Sequence, residues 1–371
     1  MDIASILNAY DPGLPLERAW TIPGPYYTDP RIAELERQAV FGATWQVVGR
    51  ADQLCAPGAF VTATVGGEPI VVVRGEDGAL RGFFNVCRHH AAAVATEAEG
   101  TCSALRCPYH GWTYGLDGSL RVTPDFDGVC DFDKGASGLA PVAVETWENF
   151  VFVHLDPVAG RRMALREFLG GVVDHVAKLD LSKLHFFQRR SYTLNCNWKV
   201  YVDNYLDGGY HVPYLHKSLN TVIEYKDYQI ECRERSVLQW SPMKQGKDAE
   251  TAAVRRGEAA YYWWVYPNFM INWYEGVMDT NLVLPLGVDR CEVIFDFYFD
   301  CIAADTEERN RQSIAVGERV QQEDIDICEA VQRGLSSRAY VAGRLAVRRE
   351  VGEHLFHRLL HADLSRAATR A

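Results

Sequence analysis

Cys87-Arg88-His89 and Cys107-Pro108-Tyr109-His110, with seventeen residues between them, constrain this chain more than any other stretch. Each half offers one thiol and one imidazole, so two loops must meet wherever these donors serve a common purpose. A two-iron, two-sulfide centre holds one iron by cysteines and the other by histidines, and loops that each supply one of both kinds meet that need. A structural zinc site has the same inventory but usually pairs Cys with Cys and His with His. His90 and Cys102 lie close by without completing such a pair, because Leu105 stands three places after Cys102, where Cys107 has His110.

The text around these loops is that of strands. From Trp45 to Leu155, short runs rich in Val, Phe and Ile are broken by Gly66-Gly67, Asp77-Gly78 and Asp117-Gly118, residue pairs that suit tight hairpin turns. The pattern predicts an all-β domain over 41–155. Residues 1–40 read as a Pro- and Gly-rich arm followed by a short helix at Arg31–Val40. Residues 156–371 mix helical patterns (Leu165–Leu179, Asn197–His211, Glu307–Leu335) with aromatic strands (Tyr261–Tyr266, Phe269–Tyr274, Glu292–Phe299), which predicts a second, α+β domain. No nucleotide-binding glycine loop is present.

With 49 acidic against 38 basic residues, a net charge of −11 argues against nucleic acid or an anionic membrane as partner. A small molecule or another protein fits better. The chain has no apolar run long enough to span a bilayer, and no basic residue precedes the first short apolar run. Ten cysteines in that setting suggest a reducing, cytoplasmic compartment and make cysteines beside histidines metal candidates.

A second constellation follows at Asn197 to His216. His211 and His216 are five apart and do not share a face of an unbroken helix. Pro213 disfavours helix at Val212, so the helix is expected to end near His211 and His216 to return from the next turn. A third ligand is sought where a carboxylate is otherwise costly. Along Glu318–Leu335 the apolar stripe reads Val320, Ile327, Cys328, Val331 and Leu335, and Asp324 falls on it, whereas Glu323, Asp326 and Glu329 lie toward the polar side. Two histidines and one carboxylate leave positions open on Fe(II) for dioxygen chemistry. His211, His216 and Asp324 are thus the expected ligands of a mononuclear iron. His354, His357 and His361 also share a helical face, and such stripes are mostly packing.

The run Tyr261-Tyr262-Trp263-Trp264-Val265-Tyr266, with Trp273-Tyr274, is dense in electron-rich rings. Such rings cage a quaternary ammonium by cation–π attraction, each worth about 0.5–2 kcal/mol. Trp264, Tyr266 and Trp273 are the pocket candidates; the alternative is that they fill a core.

N-V-C-R-H-H-A followed by C-P-Y-H-G-W-T-Y-G-L-D-G resembles the Rieske domain of ring-hydroxylating and choline-type oxygenases. N-W-K-V-Y-V-D-N-Y-L-D-G-G-Y-H-V-P-Y-L-H-K and Q-Q-E-D-I-D-I-C-E-A-V-Q-R-G-L extend the likeness, closest to choline monooxygenase and its bacterial relatives, over most of the chain. The resemblance implies Cys87, His89, Cys107 and His110 as cluster ligands and a helix-grip (START-like) catalytic domain. It also implies a homotrimer in which the cluster of one subunit feeds the iron of its neighbour through a carboxylate. In many relatives that carboxylate lies three residues before the first histidine, where this chain has Gly208, so Asp207, with Asp203 as the alternative, is expected to take the role. Asn204 matches the family asparagine near the iron. Without flavin or nicotinamide motifs in the chain, electrons would come from NAD(P)H through a separate ferredoxin or flavin reductase. The expected reaction is oxidation by O2 of a choline-like or betaine-like compound, by monooxygenation or N-demethylation. The rivals are dioxygenation of an aromatic compound, a Rieske electron carrier, and a zinc-stabilised binding protein.

Overall fold

The computed structural model describes residues 2–244 and 249–369. It divides into two compact units, Glu36–Phe168 and the pair of segments Met1–Leu35 and Leu169–Ala371.

In the Glu36–Phe168 unit a seven-stranded antiparallel sheet faces two ways. Strand alternation sends Val71 and Val73 to one side, packed with Phe60, Phe83, Leu105, Trp112 and Tyr114, and Ile70 and Val72 to the other, packed with Val61, Val142, Val151 and Val153. Burial on both faces explains why the centre of Glu68–Arg74, Ile70 to Val73, reads as an uninterrupted aliphatic run. The strands Ala59–Val65 and Glu68–Arg74 are joined by Gly66 and Gly67, both at positive φ (56° and 85°), the backbone that a two-residue hairpin requires. A smaller sheet of Leu105–Arg106, Thr113–Tyr114 and Leu120–Val122 carries one of the two Cys/His loops.

The other unit is built on a seven-stranded antiparallel sheet whose spatial order is His185–Leu194, Cys291–Phe299, Val277–Pro285, Phe269–Tyr274, Ala259–Val265, Ser236–Pro242 and Gln229–Cys232. Its register aligns Tyr262, Asn272, Asp279 and Phe297 in one cross-strand row, with Trp264, Met270, Asn281 and Phe295 in the next row on the same face. Helices cover that face. Trp264 packs on Phe356 of the Val351–Ala368 helix, with ring centres 5.6 Å apart, and Phe297 lies against Gly317 of the Glu307–Leu335 helix. This is the helix-grip arrangement, and the chain as a whole is α+β, with one unit built on β-sheets and one α+β unit. No helix among the described residues is long and apolar enough to cross a membrane.

Two helices are shorter than their sequence patterns predict. The one expected over Asn197–His211 spans only Trp198–Leu206, because Gly208 and Gly209 both take positive φ (69° and 68°) and unwind it before Pro213 has any influence. The pattern over Leu165–Leu179 is split into Leu165–Leu169 and Val172–Val176 at Gly170, also at positive φ.

Asn197 starts the Trp198–Leu206 helix. Its side chain accepts the Lys199 N–H (3.0 Å) and donates to the carbonyls of Tyr27 (3.1 Å) and Val288 (2.6 Å). Asn197→Ala removes this cap and strands the carbonyls of Tyr27 and Val288, the first of them in a buried bond, so it should cost about 1–2 kcal/mol. A clearly lower urea midpoint of the full-length protein is expected; an unchanged midpoint would show that the cap is dispensable.

Candidate functional site

The two Cys/His loops are built alike. In the first, the Cys87 N–H donates to Ala92 O (2.8 Å) and the Ala91 N–H to Cys87 O (3.0 Å); in the second, the Cys107 N–H donates to Trp112 O (2.8 Å) and the Gly111 N–H to Cys107 O (3.1 Å). Each loop turns through one left-handed residue, Ala91 (φ 63°) and Gly111 (φ 73°). The thiols of Cys87 and Cys107 are buried, and Tyr114 Oη stands 3.3 Å from Cys87 Sγ. The His89 and His110 rings lie 4.7 Å apart, and His89 stacks on Trp112 at 4.7 Å. His89 Nδ1 is buried without a hydrogen-bond partner among the described residues. Desolvation, with the nearby His90 and His110 rings, lowers the His89 pKa, favouring the neutral imidazole that binds metal. Two buried thiols on the core side and two imidazoles on the outer side fit a mixed-ligand iron–sulfur centre.

In the other unit the unwound segment after Leu206 brings His211 and His216 together, with ring centres 4.7 Å apart and planes at 84°. Asp324, from the Glu307–Leu335 helix, completes a set whose ligand atoms all lie within 4.8 Å of one another. Each histidine is oriented by a carboxylate at Nδ1: Asp207 Oδ2 is 2.6 Å from His211, and Glu323 Oε2 is 2.7 Å from His216. Asn204 Nδ2 donates to Asp324 Oδ1 (2.8 Å), and His216 Nε2 lies 3.1 Å from the same oxygen. Burial alone would lower the His216 pKa, but Asp324 and Glu323 reverse it to a value above the usual one. The donor set, two imidazoles and a carboxylate with outer carboxylates holding the rings, fits a divalent iron with open positions.

Asp324 faces inward, but the stripe it lies on differs from the one expected. The buried positions are Gln321, Asp324, Cys328, Gln332 and Leu335, whereas Ile327 and Val331 are 39% and 44% exposed. Glu323, assigned to the polar side from sequence, reaches across to His216; a partner 107 residues away leaves no local signal. Gly208 cannot be replaced by a carboxylate. A Cβ there would meet Arg349 O at 2.2 Å, and Asp207 supplies the acid next to His211 instead. Asp203 is otherwise engaged, accepting from Tyr27 Oη (2.6 Å) and pairing with His357 Nε2 (3.0 Å).

A cavity of about 130 Å³ opens beside the three-residue set. Its rings are Tyr201, Tyr205, Tyr228, Tyr262, Tyr274 and Phe295. None of Trp264, Tyr266 and Trp273 lines it. Trp264 and Tyr266 share the covered sheet face but lie under the Val351–Ala368 helix, against Phe356 and Asp363 respectively. Trp273 pairs with Tyr261 on the opposite face. In the His354–His361 stripe, His357 pairs with Asp203 and stands with Glu353 in a second group of close ligand-type atoms, and His361 meets Tyr26 Oη at 2.8 Å.

Residues 44–133 match the model of the Rieske [2Fe-2S] domain, and residues 181–365 match that of the ring hydroxylating alpha subunit (catalytic domain). Choline monooxygenase, chloroplastic, from Arabidopsis thaliana is 42% identical over 98% of this chain and 87% of its own length. The chain belongs to the Rieske non-haem iron oxygenases. This oxygenase is also 30% identical to the carnitine monooxygenase oxygenase subunit of Escherichia coli (strain K12), over 87% of this chain and 86% of that one. Among solved structures, a quaternary ammonium Rieske monooxygenase superimposes with a TM-score of 0.82 at 28% identity, covering 94% of this chain and 96% of the other. Naphthalene 1,2-dioxygenase from Rhodococcus shares the fold, with a TM-score of 0.77 at 21% identity, over 93% of this chain and 94% of its own. The oxygenase is therefore an oxidoreductase that carries a Rieske [2Fe-2S] cluster and a mononuclear iron.

Because Glu323 holds the His216 ring, Glu323→Gln should weaken iron binding at the mononuclear site by roughly 10–100-fold. Iron titration of the depleted protein measures this, with the visible spectrum of the cluster as an internal control that should not change. Equal iron affinity in the variant would remove Glu323 from the role.

Proposed function

We propose that this oxygenase uses O2 to hydroxylate a choline-like or betaine-like quaternary ammonium compound. One oxygen atom enters a substrate C–H bond and the other leaves as water, consuming two electrons and two protons. With a choline-like alcohol the product is an aldehyde hydrate; attack on an N-methyl group leads instead to demethylation. The observation that carries this reading is the cavity itself: five tyrosines surround it, and it opens directly on His211, His216 and Asp324. Its likeness to choline and carnitine monooxygenases along most of its length supports the same reading.

In this reading Cys87, His89, Cys107 and His110 hold the cluster, while His211, His216 and Asp324 hold the iron. Bound iron supplies dioxygen activation, and the chain's own residues position and charge-balance what surrounds it. Asp207 is the carboxylate through which electrons arrive, a role its 2.6 Å contact with His211 supports and the engagement of Asp203 by Tyr27 and His357 disfavours. Asn204 steadies Asp324. A homotrimer lets the cluster of one subunit serve the iron of the next, and a separate ferredoxin or flavin reductase brings electrons from NAD(P)H.

A screen of NADH and O2 consumption with a reconstituted reductase tests the substrate class. Coupled turnover of a quaternary ammonium compound is expected; turnover of aromatic compounds alone would overturn the reading in favour of a ring dioxygenase. His211→Ala should abolish product while the cluster spectrum survives, whereas undiminished turnover would place the chemistry elsewhere. Asp207→Asn, assayed at saturating iron with the cluster spectrum intact, should lower kcat at least about a hundredfold. If Asp203→Asn has that effect and Asp207→Asn does not, the electron path is reassigned.

A further inference from the structure

We propose that Asp279 is the counter-ion that makes this cavity select a cationic head group, a deepening of the quaternary-ammonium reading on which it rests. Asp279 lies at the middle of the Tyr262–Asn272–Asp279–Phe297 row, on the sheet face that the helices cover. It lines the cavity and is only 6% exposed. A buried carboxylate is costly unless a cation or a full set of donors attends it.

The neighbours of Asp279 supply neutral donors and no close cation. Asn272 Nδ2 donates to Asp279 Oδ1 at 2.9 Å, and Asn281 adjoins the same amide. Arg255 is the cavity's guanidinium, but it is directed elsewhere: Nη1 donates to Ser313 Oγ (2.6 Å), Nη2 to Ser313 O (3.4 Å), and the group stacks over Tyr274 at 4.9 Å. No ion pair joins Arg255 to Asp279 among the described residues. Burial pushes the Asp279 carboxyl above its usual pKa, Arg255 acts the other way from a distance, and no cation contacts it among the described residues.

The hydroxyls of the cavity's tyrosines are held by hydrogen bonds. Tyr205 Oη donates to Asn272 Oδ1 (2.8 Å), Tyr201 Oη to Gln321 Oε1 (2.7 Å) and Tyr228 Oη to Gln239 Oε1 (3.3 Å), while the hydroxyls of Tyr262 and Tyr274 bond each other (2.8 Å). With every hydroxyl already engaged, these residues offer a ligand their π surfaces more than their polar tips. A carboxylate among satisfied tyrosines is the environment that recognises a bulky cation: the rings replace its weak hydration and the acid balances its charge. A neutral aromatic substrate would bring Asp279 no counter-ion, which sets the acid against such a ligand.

The experiment compares choline with 3,3-dimethylbutan-1-ol, its uncharged carbon analogue, by calorimetric titration of the metal-loaded oxygenase under anaerobic conditions. The native protein should prefer choline at least tenfold. Asp279→Asn should weaken choline at least tenfold and leave the analogue within about twofold, and Asp279→Glu should retain the preference. A native protein that binds both equally, or an Asp279→Asn variant whose preference is intact, overturns the role of Asp279. The native comparison stands even where the variant does not fold. If the native protein binds no quaternary ammonium compound and oxidises only aromatic ones, the functional reading itself has failed; if it oxidises choline but Asp279→Asn binds it equally well, only the present inference has.

Discussion

Asp207 and Glu323 hold the Nδ1 atoms of His211 and His216 at 2.6 and 2.7 Å, and the rest of the catalytic arrangement depends on these contacts. An imidazole fixed at one nitrogen presents the other in a defined direction and in a defined tautomer. The two rings come from an unwound segment whose isolated turn bonds, Leu215 N–H to His211 O (2.8 Å) and His216 N–H to Val212 O (3.1 Å), fix the backbone but not the rings. Rigidity has to be supplied from outside, by an acid one turn earlier and by an acid on the Glu307–Leu335 helix. That helix also delivers Asp324, so a single element contributes both a ligand and the support of another ligand.

The glycines after Leu206 make this possible. At Gly208 a side chain would run into Arg349 O, and at Gly209 the backbone again turns left-handed. The consequence is a shift in chemistry as well as in shape: the acid cannot stand at 208 and stands at 207, where both its oxygens are used, on the backbone N–H groups of Tyr210 and His211 and on the His211 ring. The sheet beneath then sets the cavity. Its cross-strand rows place polar Asn272, Asp279 and Asn281 beside Tyr262 and Phe295 in the lining of the cavity.

Much of this was readable in the residues, and the reasons it was or was not are physical. The Cys/His loops are local: a thiol, an imidazole and a left-handed turn within six residues leave their whole signature in the chain. The hairpin glycines are equally local. Asp324 stood out because a charge on an inward stripe needs a reason, although the stripe was drawn one side too far, through Ile327 and Val331. Two features were out of reach. Strand alternation correctly gives the face of Trp264 and Tyr266, but which end of that face lies open depends on where the Val351–Ala368 helix crosses it. Glu323 pairs with a residue in a distant segment, and the register that joins them is a property of the packed unit. The Asn197–His211 pattern runs past the helix's end because Gly208 and Gly209, at positive φ, stop it before Pro213 does.

The most direct test of the account is a crystal structure of the iron-loaded oxygenase with choline bound under anaerobic conditions. Iron is expected on His211, His216 and Asp324, with the trimethylammonium group among Tyr205, Tyr228, Tyr262 and Tyr274 and facing Asp279. Iron on other ligands, or choline lodged outside this cavity, would contradict it.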